Sequence, residues 1–163
     1  MKIKNVAVFF VVLAGLFGLM WWCKPVQTST PTSPTGSSLI IEEKLYDFGT
    51  ISMAKGNVEY RFKVTNPTKE DIKIEGITTS CMCTTAYLES ATGEKGPFGM
   101  PGHGGPTARV SEVIKAGEAR KVRVVYDPNA HGPAGIGPVD RFIYLADGSG
   151  GTLELEIKAV VTP

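Results

Sequence analysis

Val58-Glu59-Tyr60-Arg61-Phe62-Lys63-Val64 carries an apolar residue at every second position and a charge at each position between. Successive side chains of a strand point to opposite faces. Val58, Tyr60, Phe62 and Val64 therefore line one face, and Glu59, Arg61 and Lys63 the other. That is the pattern of an antiparallel strand with one face buried. Leu153–Val161 repeats it, with Leu153, Leu155, Ile157, Ala159 and Val161 against Glu154, Glu156 and Lys158. Arg120–Tyr126 groups Val122, Val124 and Tyr126, and Arg141–Ala146 groups Phe142, Tyr144 and Ala146. Turn-forming residues separate these runs: Thr65-Asn66-Pro67-Thr68, Ala116-Gly117-Glu118 and Asp147-Gly148-Ser149-Gly150-Gly151. No segment sustains a helical period over about ten residues. The expected core is Tyr60, Phe62, Val122, Val124, Leu155 and Ile157.

Working outward, parity slips between Ile74 and Ile77, across Gly76. Glycine inside a strand often marks a bulge or bend. Such a bend would re-aim Ile77, Thr79, Cys81 and Cys83 onto one face. Residues 39–163 then read as one all-β domain, an antiparallel β-sandwich long enough to build a core without disulfides.

What precedes that domain differs in kind. Residues 1–24 contain no acid; Lys2 and Lys4 precede an uncharged run from Val6 to Trp22, which Trp21, Trp22 and Lys24 close. The length is at the short end for a membrane span, and tryptophans suit the membrane–water interface. A cleaved secretory signal has the same outline, but no Ala-x-Ala-like cleavage site follows, which favours a retained anchor. The bulky Trp22 before Cys23 argues against a lipoprotein signal. Lys2 and Lys4 against Lys24 place the N-terminus inside and the rest of the chain outside. Residues 25–38, with three prolines and one aliphatic residue, form a flexible stalk spanning about 40 Å if extended. The expectation is thus an anchor over 1–24, a stalk over 25–38 and an extracytoplasmic domain over 39–163. Removing 1–24 takes three of the 17 basic residues and none of the 16 acidic ones, leaving a formal charge of −2. A nearly neutral exterior domain has no footprint for nucleic acid.

Ser80-Cys81-Met82-Cys83-Thr84 holds two of the chain's three cysteines. In an extended strand both thiols share a face, with Met82 opposite. Their Cα atoms would lie about 6.6 Å apart, near the upper limit for a disulfide. A Cys81–Cys83 bridge would then be strained and readily reduced unless the chain turns there. Free thiols in an oxidising compartment call for an occupant, and thiolates with thioethers select Cu(I) and also suit zinc. Both readings, disulfide and soft metal, stay open on the sequence.

The ordered motifs Tyr46-Asp47-Phe48-Gly49-Thr50-Ile51, Phe62-x-Val64-Thr65-Asn66, Ile74-x-Gly76-Ile77-x-x-Ser80-Cys81-Met82-Cys83-Thr84 and Ala116-Gly117-Glu118 before Val122-x-Val124-x-Tyr126-Asp127 resemble a known family. It is the bacterial domain of unknown function 1573 family, with its Ser-Cys-Gly-Cys-Thr signature. The resemblance covers about residues 40–161 and implies an immunoglobulin-like sandwich similar to the ASH or hydin-type domains. It implies no reaction. The chain departs from the pattern at Met82, where glycine is usual, and in a long insertion after Leu88.

That insertion, Gly93–Pro106, carries Met100 and His103 among glycines at 93, 96, 99, 102 and 105. Five triplets are too few for a collagen helix, so the expectation is an open loop poor in hydrogen bonds. If it folds over the cysteines, Cys81, Cys83, Met100 and His103 form a metal site. His131 lies in a second loop after Asp127; without a nucleophile elbow or oxyanion signature the pair is no catalytic half-triad, and His131 reads as a turn residue capping loop carbonyls. No catalytic residue is assigned. A redox enzyme would more typically show Cys-x-x-Cys near a βαβ pattern. The expectation is a monomeric, non-enzymatic, membrane-anchored module that binds an envelope protein partner, or Cu(I) through Cys81 and Cys83. A thiol-redox protein of the envelope is the alternative.

Overall fold

The computed structural model describes residues 36–102 and 109–163. The expected anchor, most of the stalk and His103 lie outside them. Among the described residues no helix is long and apolar enough to cross a membrane.

The strands, in chain order, are β1 (Ile40–Ile41), β2 (Leu45–Ser52), β3 (Val58–Thr65), β4 (Ile72–Thr79), β5 (Thr84–Ser90), β6 (Gly93–Phe98), β7 (Arg109–Ile114), β8 (Ala119–Tyr126), β9 (Gly137–Asp147) and β10 (Thr152–Thr162). They make two five-stranded sheets, β1-β3-β8-β5-β6 and β2-β10-β9-β4-β7. Phe62, Val64, Val122 and Val124 from the first sheet and Ile74, Ile77, Leu155 and Ile157 from the second share one core. The β3 and β8 alternations meet in register, with Phe62 opposite Val122 and Tyr60 opposite Val124. Tyr60 itself is half-buried: it stacks on Tyr46 with ring centroids 3.6 Å apart at the sandwich's edge.

Three expectations need correction. The domain is not wholly antiparallel, because β2 runs parallel to β10. Parallel neighbours need a long connection, and nearly the whole domain lies between these two strands. The face of β9 is the opposite of the one expected. Ile143 and Leu145 are fully buried, whereas Phe142 and Tyr144 stack on the outer side with centroids 6.4 Å apart. Both faces of Phe-Ile-Tyr-Leu are apolar, so alternation could not choose; the pairing of Ile143 with Leu155 does. Thirdly, the start of the insertion is a strand. β6 pairs with β5, setting Glu94 opposite Glu89. Gly96, at φ 137°, is required there: a Cβ would meet Ala86 O and Tyr87 Cδ1 at 2.9 Å. Backbone pairing needs no apolar side chains, which is why composition hid the strand.

The slip across Gly76 is a bulge, with a register shift between Ile74 and Gly76 against both neighbours. It carries both Ile74 and Ile77 into the core.

Residues 36–38, at the end of the expected stalk, join the fold. Gly36 bridges to Thr152. Ser37 Oγ donates to Asp147 Oδ2 at 2.6 Å. The buried Asp147 carboxylate also accepts from Ser149 N–H, Ser149 Oγ and Gly151 N–H at 3.0, 2.5 and 2.9 Å. Gly151 must be glycine, since a Cβ would sit 2.7 Å from Asp147 Oδ2. Burial pushes the Asp147 carboxyl up, but the bonds from Ser149, Ser37 and Gly151 outweigh it and hold it below the ordinary 3.8. Its stabilising contribution is therefore present above about pH 4 and is lost as pH falls further. Asp147→Ala is expected to cost roughly 2–4 kcal/mol, because each hydrogen bond to a charged acceptor contributes about 1.5–3 kcal/mol without full additivity. Urea unfolding at pH 7 and pH 3 checks both points: the cost should shrink at pH 3.

Candidate metal centre

The β4–β5 connection passes from one sheet to the other, and Ser80-Cys81-Met82-Cys83 makes that passage. Ser80 prolongs the pairing with β9, its N–H donating to Phe142 O and its Oγ accepting from Phe142 N–H, each at 2.9 Å. The chain then turns. Thr84 N–H donates to Cys81 O at 3.2 Å, and Thr79 Oγ1 lies 3.0 Å from both Cys81 O and Thr84 O. Asp127 N–H donates to Cys83 O at 2.9 Å, tying the turn to the end of β8.

The cysteines thus lie in a tight turn and not in the extended strand expected. Cys83 is buried at 2% exposure, Cys81 is half-buried, and Met82 at the apex is 58% exposed. Both thiols are free. Cys83 N–H approaches Cys81 Sγ at 3.4 Å, so the turn folds the first sulfur back over the second residue.

The third donor comes from the loop after β8. His131 Nε2 stands 3.2 Å from Cys81 Sγ. The Cys81 and Cys83 sulfurs and a His131 ring nitrogen all lie within 4.8 Å of one another. His131 is therefore not the carbonyl-capping turn residue expected. Asp127 does not orient it: the Asp127 carboxylate accepts from Asn129 N–H at 2.8 Å and shapes the loop. Asn129 Nδ2 fastens that loop to Met53 O at 2.9 Å. Of the insertion's expected ligands, His103 lies outside the described residues. Met100 is half-buried and follows Gly99, whose carbonyl accepts from Thr79 N–H at 3.3 Å.

A second residue that alternation could not find is Arg141 on β9. Its Nε donates to Cys83 Sγ at 3.2 Å, and its Nη1 to Asp140 O at 2.8 Å. These neighbours set the acidity of the pair. Burial raises the Cys81 thiol, but hydrogen bonds from Cys83, the bond with His131 and the Arg141 charge bring it down to about 7. Cys83 moves the other way: burial and the Cys81 sulfur raise it, and Arg141 and Thr84 do not offset them. The first proton leaves Cys81, and a thiolate is at hand near neutral pH.

Two thiolates and an imidazole are the donors that soft d10 ions take. Metal–sulfur and metal–nitrogen bonds of about 2.3 and 2.0 Å set donors no more than about 4.6 Å apart, close to the separations here. The residues fit such an ion.

The fold has counterparts among solved structures. A protein of unknown function from Porphyromonas gingivalis W83 superimposes with a TM-score of 0.55 at 13% identity, over 82% of this chain and 51% of that one. The chain therefore spans about half the length of that protein. The ASH/PapD-like domain 7 of human CEP192 is similar at a TM-score of 0.48 and 15% identity, over 85% of this chain and 96% of that domain. No curated protein matches the sequence. Residues 39–99, which run through the cysteine turn to the end of β6, match the sequence model of the family described as a protein of unknown function (DUF1573), the family that the chain's motifs resemble.

Proposed function

We propose that the domain is a non-catalytic soft-metal-binding module of the cell envelope, held at the outer face of the membrane by residues 1–24. The observation that carries this reading is the convergence of Cys81, Cys83 and His131, three donors from two separate connections, within 4.8 Å. The Cys81–His131 pairing spans fifty residues of sequence, and both connections are pinned by backbone and side-chain hydrogen bonds. An inert thiol pair would need neither the histidine nor a sulfur of lowered pKa. The extracytoplasmic placement proposed from residues 1–24 accords with the same reading, because paired thiols persist outside the cytosol when they are occupied or bridged.

The test is a Cu(I) titration of the full chain in mild detergent with Cys23→Ser, in competition with a Cu(I) chelator under reducing conditions. One ion per chain is expected. His131→Ala should weaken binding at least tenfold, as loss of one of three ligands. Undiminished affinity in His131→Ala would show that the histidine is a bystander.

A further inference from the structure

We propose that Arg141 biases the cysteine turn toward a monovalent ion, Cu(I), over divalent Zn(II). The inference rests on the soft-metal reading and adds to it the ion's charge.

Softness alone does not separate these two ions, since thiolate and imidazole suit both. Charge does. Two thiolates and a neutral imidazole carry −2. A monovalent ion leaves the cluster at −1, which the Arg141 guanidinium cancels. A divalent ion leaves it at zero, and the guanidinium then stands beside it as an unbalanced positive charge. Arg141 cannot shed that charge, because guanidinium remains protonated in proteins. Nor can it move away cheaply, being tied at 3.2 Å to Cys83 Sγ and at 2.8 Å to Asp140 O. Cys83 is 2% exposed and Arg141 half-buried, so water screens the pair only in part.

Arg141 acts on both ions in one way and separates them in another. By favouring thiolate over thiol it reduces proton competition equally for each. Its direct repulsion is proportional to the ion's charge, so Zn(II) suffers twice what Cu(I) does. One extra unit of charge at about 5–7 Å, in a medium between protein-surface and bulk-water screening, corresponds to roughly tenfold to a hundredfold in affinity. Arg141 bears on both sulfurs and favours the thiolate of each. Because its hydrogen bond goes to the sulfur lone pairs, Cys83 can hold an ion and accept from Arg141 together.

The experiment measures Cu(I) and Zn(II) dissociation constants of the full chain in detergent, with Cys23→Ser throughout. A Cu(I) chelator serves for one ion and a zinc-responsive dye for the other, both at one pH with ascorbate as reductant. Arg141→Gln should shift the ratio of the two constants toward Zn(II) by about tenfold to a hundredfold. Arg141→Lys keeps the charge and should hold the ratio within about threefold of wild type. A ratio unchanged in Arg141→Gln overturns the inference. So does an Arg141→Lys ratio displaced as far as that of Arg141→Gln, which would make guanidinium shape, not charge, the cause. If Cys81→Ser, Cys83→Ser loses Cu(I) while Arg141→Gln leaves the ratio alone, this inference fails and the soft-metal reading stands. A wild-type chain that binds neither ion removes both.

Discussion

Phe62→Ala is expected to destabilise the domain by roughly 3–5 kcal/mol, as for other buried aromatics cut to alanine. Phe62 is 1% exposed, faces Val122 across the β3–β8 pair and meets Tyr60 edge-on with ring centroids 4.9 Å apart. Removing the ring forfeits its transfer energy and leaves a cavity between two sheets whose backbones are held by hydrogen-bonded neighbours on both sides. Arg61, the preceding residue, points outward, and its guanidinium pairs with Glu59 at 2.5 Å on an exposed surface. Exposed pairs contribute little, so Arg61→Ala should fall within about 0.5 kcal/mol of wild type. Urea unfolding of residues 36–163 separates the two. Equal losses from both substitutions would mean that the face assignment of β3 is wrong.

Cys81→Ser with Cys83→Ser should remove nearly all Cu(I) affinity, because hydroxyls are hard, neutral donors at this pH and the imidazole alone is a weak site. The pH dependence follows from the two thiols. A group that must lose its proton to bind makes affinity fall as pH falls. Cys81 titrates at about 7 and Cys83 above its ordinary range, so ion uptake displaces one proton just above pH 7 and two below it. The logarithm of the affinity should therefore steepen from a slope of about one per pH unit to about two or more as pH drops through 7, because the imidazole too must bind without its proton. Chelator competition across that range checks the slope, and a flat profile would exclude thiolate ligation.

Strand by strand, the sequence was readable where one face is charged. β3 and β10 interleave Glu, Lys and Arg with aliphatics, so their buried faces follow from parity alone. β9 defeated the same rule because Phe142 and Tyr144 are as apolar as Ile143 and Leu145. Only the pairing with β10 ranks them. β6 was illegible for another reason: its glycines, proline and charges signal a loop, yet edge pairing with β5 asks only for backbone groups and the ion pair of Arg123 with Glu94, at 2.7 Å, that holds them. The bulge at Gly76 was visible because a glycine coincided with a slip of parity.

At the site, spacing named Cys81 and Cys83 and mistook their backbone. Period 2 assumed a strand continuing through Ser80–Thr84, whereas β4 and β5 belong to opposite sheets and the chain must turn between them. His131 and Arg141 lie fifty and fifty-eight residues from the cysteines they touch. Nothing local to either residue marks it. The closure of the sandwich brings the β8–β9 loop and the β9 strand beside the turn, and that is a tertiary fact. The one hint was compositional: His131 sits in a long Gly/Pro loop, where functional side chains collect.

Copper K-edge X-ray absorption of the Cu(I)-loaded full chain carrying Cys23→Ser tests the central claim most directly, because it reports the atoms bound to the ion. Two sulfur neighbours and one nitrogen neighbour per copper are expected, with the imidazole scattering lost in His131→Ala. A first shell of nitrogen and oxygen without sulfur, or a spectrum unchanged by removal of His131, would contradict a site built from Cys81, Cys83 and His131.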